Sequence, residues 1–353
     1  MIITKKMEIE QFTDKNRKEW DEFCLKSDDA WFWHTINFMD FSMEYYQNAN
    51  PVNRSFLIRN GKEILAIFPL IKEEREEGNI LSYASVHFTP NPCFRNSDSE
   101  DFKKKLLIMG MKEIDRIAQE EKCKECRIEL TPLSKEHLHK LRYNYLMDFD
   151  FFETSTVTQI IKIDQNIEKV KQNIRKTYRH IFNNYKDKVN FNIYDYKNID
   201  EETFLKYKNM HHKDAGRITR TQSTFRLNFE YIKEGKSFLS EVTLKNGEPL
   251  GYSLFYLYKN CALYGSACSE PSSNLPISHL AQWGALQYLN KIGVEYYDTS
   301  NQFPSVQLLQ DFDDKKKQIS FFKRGFGGEL HQVFRGRKFY DKEYFKKEVL
   351  KQL

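Results

Sequence analysis

Two segments of the chain spell out the same succession of elements, and nothing else in the sequence restricts its folding as strongly. In Phe56-Leu-Ile-Arg-Asn-Gly-Lys-Glu-Ile-Leu-Ala-Ile-Phe-Pro-Leu70, Asn60-Gly61 stands between two apolar runs, the pattern of a tight β-hairpin. Val242-Thr-Leu-Lys-Asn-Gly-Glu-Pro-Leu-Gly-Tyr-Ser-Leu-Phe-Tyr256 repeats the pattern around Asn246-Gly247. With Asn60 laid on Asn246, Ile64 falls on Leu250 and Ala66 on Tyr252, so most apolar positions stay in phase. A strand at 81–88, an amphipathic helix at 101–121 and a strand at 126–130 follow the first hairpin. A strand at 262–267, a helix at 279–291 and a strand at 294–299 follow the second. Helical lead-ins at 17–46 and 201–232 precede them, the former carrying Trp31, Trp33, Phe38, Phe41 and Tyr45 at helical spacings. Recurrence of a whole order of elements is the mark of duplication. It predicts two like α+β domains, 1–163 and 164–353, in a chain whose 353 residues exceed a single core.

The chain is 40% hydrophobic and 30% charged, which excludes intrinsic disorder. A net charge of +5 is too mild for a dedicated nucleic-acid binder. Six scattered cysteines read as reduced thiols. The first residues, Met-Ile-Ile-Thr-Lys-Lys-Met, lack the apolar core of a signal peptide, and no run of 18 apolar residues occurs. A soluble cytoplasmic protein is expected.

Several familiar chemistries have no motif here. Gly-x-Ser-x-Gly, the Walker lysine loop, the Rossmann glycine fingerprint and His-Glu-x-x-His are all missing. Cys123-Lys-Glu-Cys126 has the spacing of a metal or redox pair. It has no matching second pair, however, and it closes a helix rather than opening one. No metal and no permanently bound cofactor are expected. What is left is chemistry by positioning, with an activated donor held against a substrate nucleophile.

Five stretches suit that chemistry. In Ile319-Ser-Phe-Phe-Lys-Arg-Gly-Phe-Gly-Gly-Glu329, three phenylalanines form an apolar wall, the glycines permit a tight turn, and Lys323 stands at the wall's edge. Partial desolvation there makes an ammonium chemically useful. Read by itself the stretch is a strand entering a glycine turn. The connecting segment 164–188 reads as one helix, apolar on one side and carrying Lys171, Arg175 and Arg179 every fourth residue on the other, a wall for an anionic substrate. His211-His-Lys-Asp-Ala-Gly-Arg-Ile-Thr-Arg220 crowds His212, Arg217 and Arg220 around a glycine, and arginine forks match phosphate and carboxylate oxygens. Tyr264-Gly-Ser-Ala-Cys-Ser269 ends a strand in small residues, leaving room for a ligand. Tyr296-Tyr-Asp-Thr-Ser300 puts Asp298 at a strand terminus, where sites of α/β sheets lie.

The ordered set Tyr264-Gly-Ser-Ala-Cys, Pro276-Ile-Ser-His-Leu-Ala-Gln-Trp-Gly-Ala, Gly293-Val-Glu-Tyr-Tyr-Asp298 and Phe322-Lys-Arg-Gly-Phe-Gly-Gly resembles the FemAB-like family. These are peptidoglycan-bridge aminoacyltransferases and their relatives in the GNAT acyltransferase superfamily. The resemblance is strongest from about residue 204 to 330. It implies two tandem GNAT-like domains, each a mixed, largely antiparallel sheet flanked by helices. It implies transfer of an acyl or aminoacyl group to an amine of a cell-envelope glycan or peptidoglycan-type precursor, without a covalent enzyme intermediate. The implied donor is aminoacyl-tRNA or acyl-CoA. Lys323 would stabilise the oxyanion or leaving group, Phe322 would shape the pocket, Arg220 and Arg217 would grip the precursor's phosphates, and Tyr264 would lie near the same ligand. An anionic glycan or nucleotide-sugar partner is implied, with no DNA and at most peripheral membrane contact through a lipid-linked substrate. Three features depart from the pattern. Ser42 stands where the peptidoglycan enzymes often carry a lysine, there is no heptad run for a coiled-coil arm, and the acyl-CoA pyrophosphate loop is not found. An acyl-CoA-dependent N-acyltransferase of sugars or surface polysaccharide, and a glycan-binding protein without catalysis, are the alternatives.

Overall fold

The computed structural model describes residues 7–140, 142–303 and 313–350. The described residues pack as two compact units, one holding 7–156 and 332–350, the other 157–303 and 313–331. The sequence division at 163/164 thus differs from the packing at both ends, since the last segment of the chain returns to the first unit.

In the first unit the Asn-Gly hairpin forms as expected. Phe56–Asn60 and Glu63–Phe68 pair antiparallel inside a four-stranded sheet with Met7–Gln11 and Cys93–Phe94 at its edges. A second sheet runs in the order Phe152–Glu153, Arg335–Phe339, Glu125–Glu129, Gly78–Leu81, Ile71–Arg75, Val52–Asn53, and Thr89–Pro90 joins Glu125–Glu129 in parallel. The helix Glu100–Glu120 covers them with Leu106, Met111, Ile114 and Ile117, buried against Phe56, Phe68 and Phe94. Its Gly110 is obligatory, because a Cβ there would stand 2.0 Å from the Phe68 ring.

The second unit is one seven-stranded sheet in the order Val189–Tyr194, Ser237–Leu244, Pro249–Tyr258, Cys261–Ser269, Tyr296–Gln302, Thr156–Lys162, Glu329–Val333. Cys261–Ser269 and Tyr296–Gln302 pair in parallel. The helix Ile277–Lys291 joins them and buries Leu280, Ala281, Leu286 and Leu289 against Phe238, Phe255 and Tyr297. In the first unit, Thr89–Pro90, Glu100–Glu120 and Glu125–Glu129 have the same succession and the same parallel pairing. The duplicated grammar of the sequence is a duplicated topology.

Four expected elements come out differently, each for a local reason. The lead-in 17–46 is broken, because Thr35 accepts the Phe38 N–H and starts a new helix, Ile36–Tyr45, after Arg17–Lys26. The lead-in 201–232 is likewise two helices, Glu201–Ala215 ending at a left-handed Gly216 and Gln222–Lys233 capped by Thr221. The strand expected at 81–88 stops at Leu81, and His87 turns back to bond the Tyr83 carbonyl. The basic helix 164–188 is two helices, Ile167–Asn173 and Lys176–Tyr185, parted at Ile174–Arg175 where the Arg175 N–H bonds the Gly325 carbonyl at 2.8 Å. No helix among the described residues is long and apolar enough to cross a membrane.

Candidate active site

The parallel pairing of Cys261–Ser269 with Tyr296–Gln302 holds only as far as Leu263↔Asp298. Beyond it no further pairs form, and a cavity of about 680 Å³ opens there. Its walls are Tyr264, Gly265 and Ser266 of one strand, Ser300 of the other, Ser278 and His279 of the following helix, and Phe322 and Lys323. A bulge helps to shape it. Leu254 pairs with Ser266 but the adjacent Phe255 pairs with Tyr264, so Gly265 is the extra residue. A Cβ on Gly265 would come within 2.7 Å of the Tyr256 ring, which is why the position is glycine.

Lys323 does not lie on a strand. Asp313 caps a helix, Asp314–Arg324, by accepting the Lys316 N–H at 2.7 Å, and Lys323 falls in its last turn, where partial negative charge favours a cation. The side chain is 7% exposed and gives one hydrogen bond, 3.1 Å to the Asn301 carbonyl. Burial pulls its ammonium down to about 8, against the opposing charge of Asp298. Asp298, also buried, accepts from the Thr158 hydroxyl and from the Ser300 N–H at 2.7 Å. Burial pushes its carboxyl up to about 6, while Thr158, the Ser300 N–H and Lys323 hold it down. Near neutral pH both groups are mostly charged, and they interact through the interior without a direct ion pair.

Aromatic rings fix the wall beside the ammonium. Phe322 lies 5.1 Å from Phe326 and 4.9 Å from His279, and His279 meets the Tyr178 ring edge-on at 4.3 Å. Tyr178 seats directly over Gly325, where a Cβ would stand 2.0 Å from the ring. Arg175 braces the group, 3.9 Å over the Phe321 ring and 3.3 Å from the Tyr178 hydroxyl. Burial, then the Arg175 charge, bring His279 down to about 4, so it faces the cavity as a neutral imidazole. The turn that follows needs its glycines. Gly327 and Gly328 have φ of +82° and +86°, and both carbonyls accept from the Gln159 amide.

Of the residues singled out in the sequence, Tyr264, Phe322 and Lys323 line the cavity, Asp298 acts on Lys323 from the core, and Arg175 supports the aromatic wall. Arg179, half-buried one turn later, is not in the lining. No residue of the 211–220 stretch is in the lining; the helix Glu201–Ala215, which leads into it, only bonds the strand that is. Tyr207 bonds Ser266 at 2.9 Å, and Asp214 accepts the Ser269 N–H at 3.1 Å. There Arg220 lies 5.9 Å from the Phe225 ring and His212 packs edge-on against the same ring at 5.2 Å, while Arg217 is exposed. Sequence reasoning missed His279, Ser300, Asn301 and Thr158. Only His279 had a signal, as a histidine in the first turn of a predicted helix.

No family model matches the chain, and no curated protein matches it. Solved structures do. FemX superposes with a TM-score of 0.65 over 96% of this chain and 99% of its own, at 13% identity. L-PGS from Bacillus licheniformis gives 0.60 over 97% and 96% at 11% identity. A tandem GNAT protein from the clavulanic acid biosynthesis pathway gives 0.52 over 95% and 98% at 9% identity. The chain has a FemAB-like, tandem GNAT fold. The expected fold class stands, a mixed and largely antiparallel sheet with helices in each of two tandem parts. Cys123 and Cys126 are buried thiols, Cys123 pushed up to about 12 by its burial.

Proposed function

We propose that the chain is an N-acyl or aminoacyltransferase, passing an activated acyl or aminoacyl group to an amine of an anionic cell-envelope glycan or peptidoglycan-type precursor in the cytoplasm. The observation that carries the reading is a buried ammonium, Lys323, on the wall of the cavity where the two parallel strands part. A neutral amine attacks the carbonyl carbon of an aminoacyl ester or acyl thioester, and the C–N bond forms as the carbonyl π pair moves to oxygen. Lys323 stabilises that oxyanion in a site where most water is excluded, and collapse of the intermediate expels the ribose hydroxyl or the thiol. The added proton of the attacking amine leaves with the solvent or the departing group. Phe322 shapes the pocket and Tyr264 lines it. Arg220, with Arg217, meets the precursor's phosphates, Arg175 and Arg179 add to the field an anion meets, and His212, which burial keeps neutral, offers a hydrogen bond rather than charge. The fold neighbours FemX, L-PGS and the clavulanic acid protein support transfer chemistry in general. The donor is either aminoacyl-tRNA or acyl-CoA.

Offering aminoacyl-tRNAs and acyl-CoAs separately against nucleotide-sugars and lipid-linked precursors identifies the pair. With that pair, Lys323→Ala lowers kcat by on the order of 10²–10³ while the protein stays folded by circular dichroism. Unchanged turnover would remove Lys323 from the mechanism. Arg220→Ala weakens phosphorylated precursors more than their dephosphorylated forms, and equal losses would sink the phosphate role.

A further inference from the structure

The duplicated topology gives the first unit a counterpart of the cavity in the second. There Thr89–Pro90 and Glu125–Glu129 pair in parallel, and the last paired residues are Pro90 and Glu129. Beyond them a cavity of about 320 Å³ is walled by Asn91, by Leu130 and Thr131, and by the first turns of the helix Glu100–Glu120. Its charge is reversed. Where the cavity of the second unit presents Lys323, this one presents Asp29, a half-buried carboxylate with no ion pair among the described residues. One of its oxygens, Oδ2, accepts the Phe94 N–H at 3.0 Å. Burial pushes the carboxyl up to about 6 against the Phe94 N–H and the charge of Lys103, and Glu136 and Glu100 add to the rise. Of the lysines in the lining, Lys103 is committed to Glu100 at 3.1 Å, and Lys104 is exposed, as is Asp101. A second polar group is idle. Thr131 lines the cavity at 1% exposure, and its hydroxyl makes no hydrogen bond among the described residues.

We infer that this cavity is a second ligand site, taking an alkylammonium compound whose ammonium pairs with Asp29 and bonds the Thr131 hydroxyl while its carbon chain lies on Phe94, Leu107 and Leu130. A carboxylate withdrawn from water without a counter-ion favours a cation that brings its own hydrogen-bond donors. The three apolar side chains in the lining suit the carbon chain and not a bare ion. A metal ion fits less well for a second reason. Among the described residues no group of three His, Cys, Asp or Glu side chains is placed to hold one. An anion would meet the combined charge of Asp29, Glu100 and Glu136. The inference concerns the first unit alone, so absence of turnover with every donor would count against the transferase reading and leave this one standing.

The test is titration calorimetry of the full chain with pentylamine, pentan-1-ol and pentanoate, probes of one chain length and different charge. It is run near neutral pH, where Asp29 is mostly charged. Pentylamine should bind and the other two should not. Asp29→Asn keeps an acceptor for the Phe94 N–H and should weaken pentylamine on the order of tenfold or more. Thr131→Val removes the hydroxyl and little volume, and should weaken it severalfold. Thermal melting of each variant checks that it is folded. No binding of pentylamine, equal binding of pentan-1-ol or pentanoate, or either variant binding pentylamine like the parent would overturn the proposal.

Discussion

Lys323 and Asp298 influence each other through the protein interior, and that gives two predictions at the scale of single residues. If the ammonium is the working form, kcat/KM divided by the fraction of acceptor amine that is neutral is full below about 8 and falls as pH rises through that value. Asp298 favours the charged form of Lys323, so Asp298→Asn should move this alkaline limb to lower pH; a limb that does not move would show the two are uncoupled. The second prediction concerns stability. The folded pKa of Lys323 lies below its ordinary 10.5, so between about 8 and 10.5 the folded chain binds fewer protons than the unfolded one. Stability from this group therefore rises with pH across that window, and below it the cost of the buried charge is fully present. Lys323→Met should raise stability at pH 7 by on the order of 1 kcal/mol while abolishing turnover, the gain shrinking as pH climbs from 8 toward 10.5. Urea unfolding at three pH values decides it. Lys323 could be picked out in the sequence because phenylalanines and glycines crowd around it. His279 could not, because its role depends on Tyr178 and Phe322, brought beside it only by folding.

Elements were legible where the signal was local and misread where a distant partner decided. Both Asn-Gly hairpins formed, since turn and strands lie within one short window. The stretch from Ile319 on resembles a strand because it lies beyond Asp313, the cap that starts the helix Asp314–Arg324. The break at Ile174–Arg175 depends on the Gly325 carbonyl, far along the chain, and no periodicity reports that. The glycines divide in the same way. Gly216 has φ +65° and open space around it, so Gly216→Ala should cost only the left-handed penalty, about 1–2 kcal/mol. Gly328 has φ +86°, and a Cβ would stand 2.4 Å from the Ile160 carbonyl oxygen, so Gly328→Ala should cost clearly more. Equal losses in denaturant titrations would mean the close approach to Ile160 carries no energy.

For the whole molecule, the duplication was readable but the return of the chain was not. Arg335-Gly-Arg-Lys-Phe339 is a strand lying between Glu125–Glu129 and Phe152–Glu153. Its charges are matched there. Arg337 bonds Glu125 at 2.7 Å and Glu348 at 2.8 Å, and Glu125 is fully buried. Arg335 bonds the Thr154 carbonyl, and Phe334 joins the apolar core of the first unit. Cutting the chain after His331 would remove an interior strand and strip Glu125 of one of its cations, a loss of about 3–5 kcal/mol for a broken buried pair before any apolar term. That is a large share of a domain's stability. The truncated chain should therefore lose the cooperative melting of its first unit. Residues 7–156 alone should fail to fold, whereas 7–156 joined to 332–353 should fold. A short flexible linker suffices, because the Thr154 N–H and the Arg335 carbonyl are already 3.1 Å apart. Circular dichroism and calorimetry of the three proteins make the comparison, and a truncated chain that melts like the full one would show that the last strand is dispensable.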